Sequence, residues 1–360
     1  MPYGQAVINS AFDYVRAQLE ELVAAFGLEE EGEAILAIYH AIFRRSLAFS
    51  LGRRPAVSSR LNEDGTPIQF ATSVGIQPAS LRFVGDPGPL NAEGLLRMHA
   101  ARSVMEEVVG IIGAEEELGS LDRLLAELTP QDDPALRDDP AGAFWIGAAF
   151  ASGASPRLRI YVNSAWGGAL KRWERIRRFV AHFDRSVAWE EVETRLPPSL
   201  TPLGMALTLT PRGKIRGTIY FRAFGLRLEE YVVLAQRSAS TDNAEAIRGF
   251  GTALLGDESV YPAPSAVFSF GFGPEPGLTA ELEFCAHCLF TEDAEARQHL
   301  KRLFSISHLD AGPYMILDRV LSPVDPRKGS PRVHSFIGVD VKYVGPVYTI
   351  YMKPDLSAFR

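Results

Sequence analysis

Apolar positions recur at helical spacing near the start of the chain, in Val15, Leu19, Leu22, Val23 and Phe26 and again in Ile35, Ile38, Ile42 and Phe43. The pattern then changes. Runs rich in β-branched and aromatic residues, bounded by Gly and Pro, come in pairs, and a helical segment follows each of the first four. The paired runs are Pro67–Gly75 with Ser80–Val84, Ala143–Ala151 with Leu158–Val162, Met205–Thr210 with Arg216–Ala223, Ala266–Phe272 with Thr279–Leu289, and Ser335–Tyr343 with Val347–Met352. Helices are predicted over about 91–128, 169–183, 227–237, 243–255, 292–306 and 311–321, besides the N-terminal pair at about 5–50. Short turns such as Pro211-Arg212-Gly213 and Pro274-Glu275-Pro276-Gly277 impose antiparallel pairing within each pair. Five such hairpins make a sheet of ten strands with helices on one face, and a sheet that large curls or closes. The expected fold is therefore α/β of the α+β kind. A ten-stranded antiparallel barrel, built of repeated α-β-β-α units with helices outside, would form a single domain over 1–360, the barrel itself over about 60–354. A lumen of that size can hold ligands rather than being filled by side chains.

The second strands of the second, third and fifth hairpins carry the chemistry. They read Arg157-Leu-Arg159-Ile-Tyr161, Arg216-Gly-Thr218-Ile-Tyr220-Phe-Arg222 and Val347-Tyr-Thr349-Ile-Tyr351-Met-Lys353. Side chains alternate across a strand, so Arg157, Arg159, Arg216, Arg222 and Lys353 share one face with Tyr161, Tyr220 and Tyr351. Leu158, Ile160, Val162, Ile219, Phe221, Ile350 and Met352 take the other, suited to packing against outer helices. The Arg/Tyr face then points inward. Converging guanidiniums require an anion, and their planar forks suit phosphate oxygens. Tyrosine faces stabilise a cation. Arg–Glu pairing in a structural core explains one such strand as well; three matched strands favour diphosphate and carbocation chemistry.

The chain resembles the soluble aromatic prenyltransferases of the dimethylallyltryptophan synthase type, whose α-β-β-α units surround a ten-stranded barrel. The pieces that carry the resemblance are TPIQF at Thr66–Phe70, LRF at Leu81–Phe83, LRIY at Leu158–Tyr161, RGTIYFR at Arg216–Arg222 and YTIYMKP at Tyr348–Pro354. The resemblance implies a secondary-metabolism enzyme that transfers an allylic group, dimethylallyl first of all, from its diphosphate to an aromatic acceptor such as a tryptophan or indole derivative. It places Arg82, Arg159 and Arg216 on the diphosphate, with Arg222 and Lys353 as further cations, and makes Tyr161, Tyr220 and Tyr351 the shield that keeps water from the allyl cation. Thr218 stands where the family pattern has a second cation, and Arg222 or Arg157 is expected to supply that charge. Gln69 stands where the pattern has a glutamate that hydrogen-bonds the indole N–H. A glutamine accepts that bond but is no base at neutral pH, so His287, Glu283 and Glu281 become the candidates to take up the proton. No cofactor is implied and magnesium is not obligatory. A phenolic or peptide acceptor, a non-catalytic barrel binding a hydrophobic anion, and an isoprenoid phosphatase are the other readings.

Charge and composition narrow the partners. The net charge of −7 argues against nucleic acid or an anionic membrane. No apolar run is long enough to span a bilayer and the N-terminus lacks a signal pattern, so the cytoplasm is the expected location. The two cysteines, Cys285 and Cys288, form a CxxC with no second pair to complete a zinc site, and on a strand their sulfurs would face opposite ways. No metal site is therefore expected. Glu281, Glu283, Cys285 and His287 are expected to face inward from the fourth hairpin, where the carboxylates either meet the acceptor or pair with the arginines. Asp132-Asp133 and Asp138-Asp139 read as a solvated loop, Gly271-Phe-Gly273 as a hairpin approach, and the basic run Lys171, Arg172, Arg175, Arg177, Arg178 as a solvated helix face.

Overall fold

The computed structural model describes residues 10–51, 58–75, 79–92, 94–129, 144–164, 166, 168–183, 186–211, 215–236, 243–255, 266–273, 279–322, 332–342 and 345–356; the side chains of residues 169, 186–188, 243, 341 and 342 lie outside that description. Every expected hairpin forms. The strands are β1 Ile68–Val74, β2 Leu81–Gly85, β3 Phe144–Phe150, β4 Arg157–Asn163, β5 Leu200–Leu209, β6 Arg216–Ala223, β7 Ala266–Phe272, β8 Thr279–Cys285, β9 His334–Lys342 and β10 Gly345–Met352. Each pairs antiparallel with its neighbours in sequence, and β1 pairs with β10 through Ala71 opposite Tyr351, which closes the barrel.

The helices are α1 Ala11–Ala25, α2 Gly32–Phe43, α3 Gly94–Ile111, α4 Leu118–Leu128, α5 Gly168–His182, α6 Ser186–Glu193, α7 Leu228–Ala235, α8 Asn243–Leu255, α9 Ala286–Leu289, α10 Asp293–Ile306 and α11 Gly312–Leu321. Helix α1 begins where the Ser10 hydroxyl accepts from the Asp13 N–H at 3.0 Å, satisfying one orphan donor of the first turn. The helices cover the outer face of the barrel. Leu158, Ile160 and Val162 of β4, Ile219 and Phe221 of β6 and Ile350 and Met352 of β10 belong to one continuous apolar core with Val15, Leu22, Ile38 and Leu121 of the helices. A second, separate apolar cluster of Ala206, Tyr220 and Val267, joined by Tyr161, Leu203 and Phe336, lies on the inner wall. Strand alternation thus produces two environments, an outer hydrophobic ring and an inner lumen. The start of α3 is tied to the end of β2 by a buried Arg97–Asp86 ion pair, with Ser59 donating to the same carboxylate at 3.2 Å. Burial pushes Asp86 up to about 6 despite the opposing pull of Arg97.

Three elements depart from the pattern read in the sequence. Strand β5 starts at Leu200, five residues earlier than expected, because a register shift between Pro202 and Gly204 accommodates the proline. Helix α6 was not anticipated. Strand β8 stops at Cys285, and the four residues expected to continue it form the single turn α9. The aspartate pairs at 132–133 and 138–139 fall outside the described residues. The basic helix face is only partly solvated: Arg175 is buried, donates to the Ser164 and Trp166 carbonyls at 3.0 and 2.9 Å, and lies 3.3 Å from the centre of the Trp166 ring.

Candidate functional site

Arginines gather on one arc of the lumen. Arg82 of β2 lies opposite Ala149, which in turn lies opposite Arg157 of β4. Thr208 of β5 stands opposite both Arg159 and Arg216. Burial first, and then the charges of Arg82, Arg159 and Arg216, press the Arg157 pKa down. Among the described residues no ion pair joins these four guanidiniums to a carboxylate. Two of them, Arg82 and Arg159, are oriented by hydroxyls instead. Arg82 Nε donates to Ser80 Oγ at 3.2 Å, and Ser80 shares a 2.8 Å hydrogen bond with Ser73. Arg159 Nη2 donates to Thr218 Oγ1 at 3.1 Å, while its buried Nε has no partner. Thr218 therefore holds the arginine of the preceding hairpin, Arg159.

The tyrosines stand beside this arc. Tyr161 and Tyr220 have ring centres 6.0 Å apart, and the Arg159 guanidinium lies 5.4 and 5.6 Å from them. A cation already rests between the two π faces. Tyr351 meets Phe336 edge-on at 6.4 Å. Burial raises the pKa of all three tyrosines, so their hydroxyls stay protonated and act as donors. Trp145, opposite Tyr161 on β3, adds an indole whose buried N–H is unpartnered. Trp145 and Phe336 were not singled out from the sequence, although their alternation with outward residues already puts them on the inner face.

Carboxylates occupy the facing wall. Glu281 lies opposite Asp340, and Glu283 lies opposite Gly338. A Cβ at position 338 would sit 3.0 Å from Glu283 Cγ, so the glycine leaves that side chain its space. Glu281 is pushed up to about 8 by burial, then by the charges of Glu283 and Asp340. Glu283 is also raised by burial, but accepts a hydrogen bond from Tyr351, which favours its ionised form. The two carboxyls titrate together. Of the two alternatives for these acids, direct pairing with the lumen arginines is not what the geometry shows among the described residues. Charge is separated across the lumen: cations on β2, β4 and β6, acids on β8 and β9.

Gln69 has a defined orientation. Asn62 Nδ2 donates to the Thr66 and Ile68 carbonyls at 2.7 and 3.0 Å, which fixes that amide and leaves Asn62 Oδ1 as an acceptor. Ser335 Oγ and Gln69 Nε2 donate to that oxygen at 3.0 and 2.7 Å. Gln69 thus spends its NH2 on the wall, with a second contact to the Leu61 carbonyl at 3.3 Å, and its Oε1 is the group left for another partner. Asn62 was missed in the sequence because nothing local marks a loop asparagine that will reach a strand.

The remaining candidates lie toward the other rim. Lys353 is buried and paired with Glu63 and, at 3.0 Å, with Asp64. Arg222 is six residues along β6 from Arg216 and acts electrostatically on Cys285 and His287. His287 rides on α9 rather than on β8, with Nδ1 3.0 Å from Cys285 Sγ and 3.5 Å from Glu63 Oε2. The expected inward register of the fourth hairpin therefore ends at Cys285, and His287 is not part of the Arg/Tyr arc.

No protein-family model and no curated protein matches the sequence. Solved structures do match over nearly the whole chain. A 6-dimethylallyltryptophan synthase from Micromonospora olivasterospora, in complex with DMASPP and Trp, aligns with a TM-score of 0.80 at 19% identity, covering 98% of each chain. The prenyltransferase PriB bound to product diphosphate aligns at 0.83 and 20% identity over 96% of this chain and 97% of its own. A 5-dimethylallyltryptophan synthase from Streptomyces coelicolor aligns at 0.82 and 19% identity over 98% and 100%. The protein has the fold of these aromatic prenyltransferases, a ten-stranded antiparallel barrel ringed by helices. Among the described residues no helix is long and apolar enough to cross a membrane.

Proposed function

We propose that the protein is an aromatic prenyltransferase that moves a dimethylallyl group from its diphosphate to an electron-rich aromatic acceptor, a tryptophan or other indole derivative first of all. The observation that carries this reading is the arc of Arg82, Arg157, Arg159 and Arg216, four cations without carboxylate partners among the described residues, set against Tyr161 and Tyr220. The solved structures of the same fold were determined with a dimethylallyl diphosphate analogue and tryptophan, or with diphosphate, which supports both the donor and the acceptor class.

In this reaction the arginines hold the diphosphate and neutralise the charge that develops as the allylic C–O bond breaks. Phosphate oxygens draw Arg159 off the tyrosine pair, and the rings it leaves face the allyl cation. Tyr351 completes the screen. An aromatic carbon of the acceptor attacks the cation, and the proton displaced from that carbon goes to Glu283, the carboxyl to which Tyr351 donates a hydrogen bond. Gln69 Oε1 receives an N–H from the acceptor and takes no proton. Arg222 and Lys353 stand outside the donor site. Charge neutralisation by arginine makes added magnesium unnecessary for donor activation.

The test is incubation with dimethylallyl diphosphate and a panel of indole, phenol and peptide acceptors without added magnesium, read by mass spectrometry. A prenylated indole together with released diphosphate is the expected result. Free prenyl alcohol as the main product, or tight binding of a thio-diphosphate analogue with no product from any acceptor, would overturn the reading.

A further inference from the structure

At the rim of the barrel the end of β8 brings together a donor set that prenyl transfer does not use. Because the strand stops at Cys285 and α9 turns at once, Cys288 returns to the same side as Cys285 instead of the opposite face, and His287 lies between them. The two sulfurs and an imidazole nitrogen all fall within 4.8 Å of one another. The loop before β1 adds a fourth group, since Glu63 Oε2 is 3.5 Å from His287 Nδ1. We propose that Cys285, His287, Cys288 and Glu63 bind one Zn2+ as a structural site.

The spacing fits that ion. Tetrahedral zinc with bonds of roughly 2.0–2.3 Å places its ligand atoms about 3.4–3.8 Å apart. Cys285 Sγ to His287 Nδ1 is 3.0 Å and His287 Nδ1 to Glu63 Oε2 is 3.5 Å; the two sulfurs and the imidazole are already grouped, and the Glu63 carboxylate, which touches the imidazole but lies outside that group of three, turns inward to complete the cage. Two thiolates and an imidazole are soft to borderline donors and select zinc over magnesium or calcium. The carboxylate is held in place beforehand, because its other oxygen pairs with Lys353. Cys285 is buried, His287 and Cys288 are half-buried and Glu63 is exposed, which leaves a path for the ion. A second CxxC is unnecessary, since His287 and the loop carboxylate together supply the two ligands that a second pair would.

The site also has a structural consequence. Glu63 follows Asn62, the residue that orients Gln69. A bound ion ties this loop to the end of β8 and so braces one wall of the lumen. His287 is then a ligand and not a base. Metal binding here does not depend on prenyl transfer. The chain contains only two cysteines, so thiol chemistry reports on this site alone.

Metal analysis of protein produced with zinc and reductant should find about one zinc per chain. Exchange with Co2+ should give intense thiolate-to-cobalt absorption in the near ultraviolet and d–d bands of a four-coordinate ion. Both thiols should react slowly with a disulfide reagent until a strong chelator is added. Cys288→Ser and His287→Ala should each lose the metal. The wild-type thiol-protection measurement does not depend on those variants folding. Protein that takes up neither ion, thiols equally reactive with and without zinc, metal retained in both variants, or a Cys285–Cys288 disulfide under reducing conditions would each overturn the proposal.

Discussion

Thr218 and Glu281 show how single side chains tune the site. The Thr218 hydroxyl is the only protein group hydrogen-bonded to the Arg159 guanidinium among the described residues. Hydrogen bonds to charged groups contribute about 1.5–3 kcal/mol, so losing this one costs about tenfold or more in donor affinity if Arg159 must be reoriented on binding. Thr218→Val, which keeps shape and removes the acceptor, should raise the donor KM by about that factor and leave kcat much less changed; steady-state kinetics against dimethylallyl diphosphate checks it. Glu281 acts through its protonation. Its native pKa of about 8 lies above the ordinary 4.5 of a glutamate, so between those values the native chain holds a proton that the unfolded chain has released. Stability should therefore decline as pH rises from about 4.5 to 8 and level off beyond. Above 8 the new carboxylate charge opposes the diphosphate. Glu281→Gln should flatten the unfolding profile, and the wild-type-to-variant ratio of analogue affinity should fall across pH 7–9; a ratio that stays constant would remove Glu281 from the donor's electrostatics.

Elements hold these residues in place through a tight outer layer. Gly85, the last residue of β2, faces the ring of Phe43 from α2, and a Cβ there would fall on that ring. Phe43 is fully buried and packs against Phe83 at 5.8 Å, so it has no open space to move into. Gly85→Ala should destabilise the fold by about 1–3 kcal/mol, read as a lower melting temperature, with the lumen chemistry kept in the folded fraction. The sequence exposes this layer well. Outward positions of β4, β6 and β10 are apolar at period two, the helices are apolar at period 3.6, and both patterns arise from the same burial. Legibility fails where local signals conflict with long-range packing. Pro202 and Gly204 are strand breakers by rule, yet β5 runs through them because a bulge absorbs the irregularity. Cys285-Ala-His-Cys-Leu looks like a continuing strand, and only the three-dimensional end of β8 shows the turn that groups its sulfurs. Likewise the arginines and tyrosines were visible as a repeated register, whereas the wall they face and the Ser335–Asn62 contact that backs Gln69 depend on residues far away in the chain.

At the scale of the molecule the barrel concentrates charge of one sign on one arc of its lumen, and that arrangement has an energetic signature. Arg157 is held below its ordinary pKa by burial and by Arg82, Arg159 and Arg216, which means the charged arc is unfavourable to itself without an anion. A site selected for binding is then a source of instability in the free protein. An anion that binds only the folded state stabilises it by RT ln(1 + [L]/Kd), about 2.7 kcal/mol at a concentration one hundred times Kd. Inorganic diphosphate should accordingly raise the melting temperature by a few degrees, and rising salt should shrink the shift. Arg216→Gln separates the two effects. Removing one cation should leave the melting temperature of the unliganded protein unchanged or higher, because repulsion falls, while most of the diphosphate-induced shift is lost. The opposite pair of results, a destabilised variant with an intact shift, would mean that Arg216 holds the wall together and that diphosphate binds elsewhere. Differential scanning fluorimetry over a diphosphate series, with Arg222→Gln on the other rim as the control that keeps the shift, decides between them.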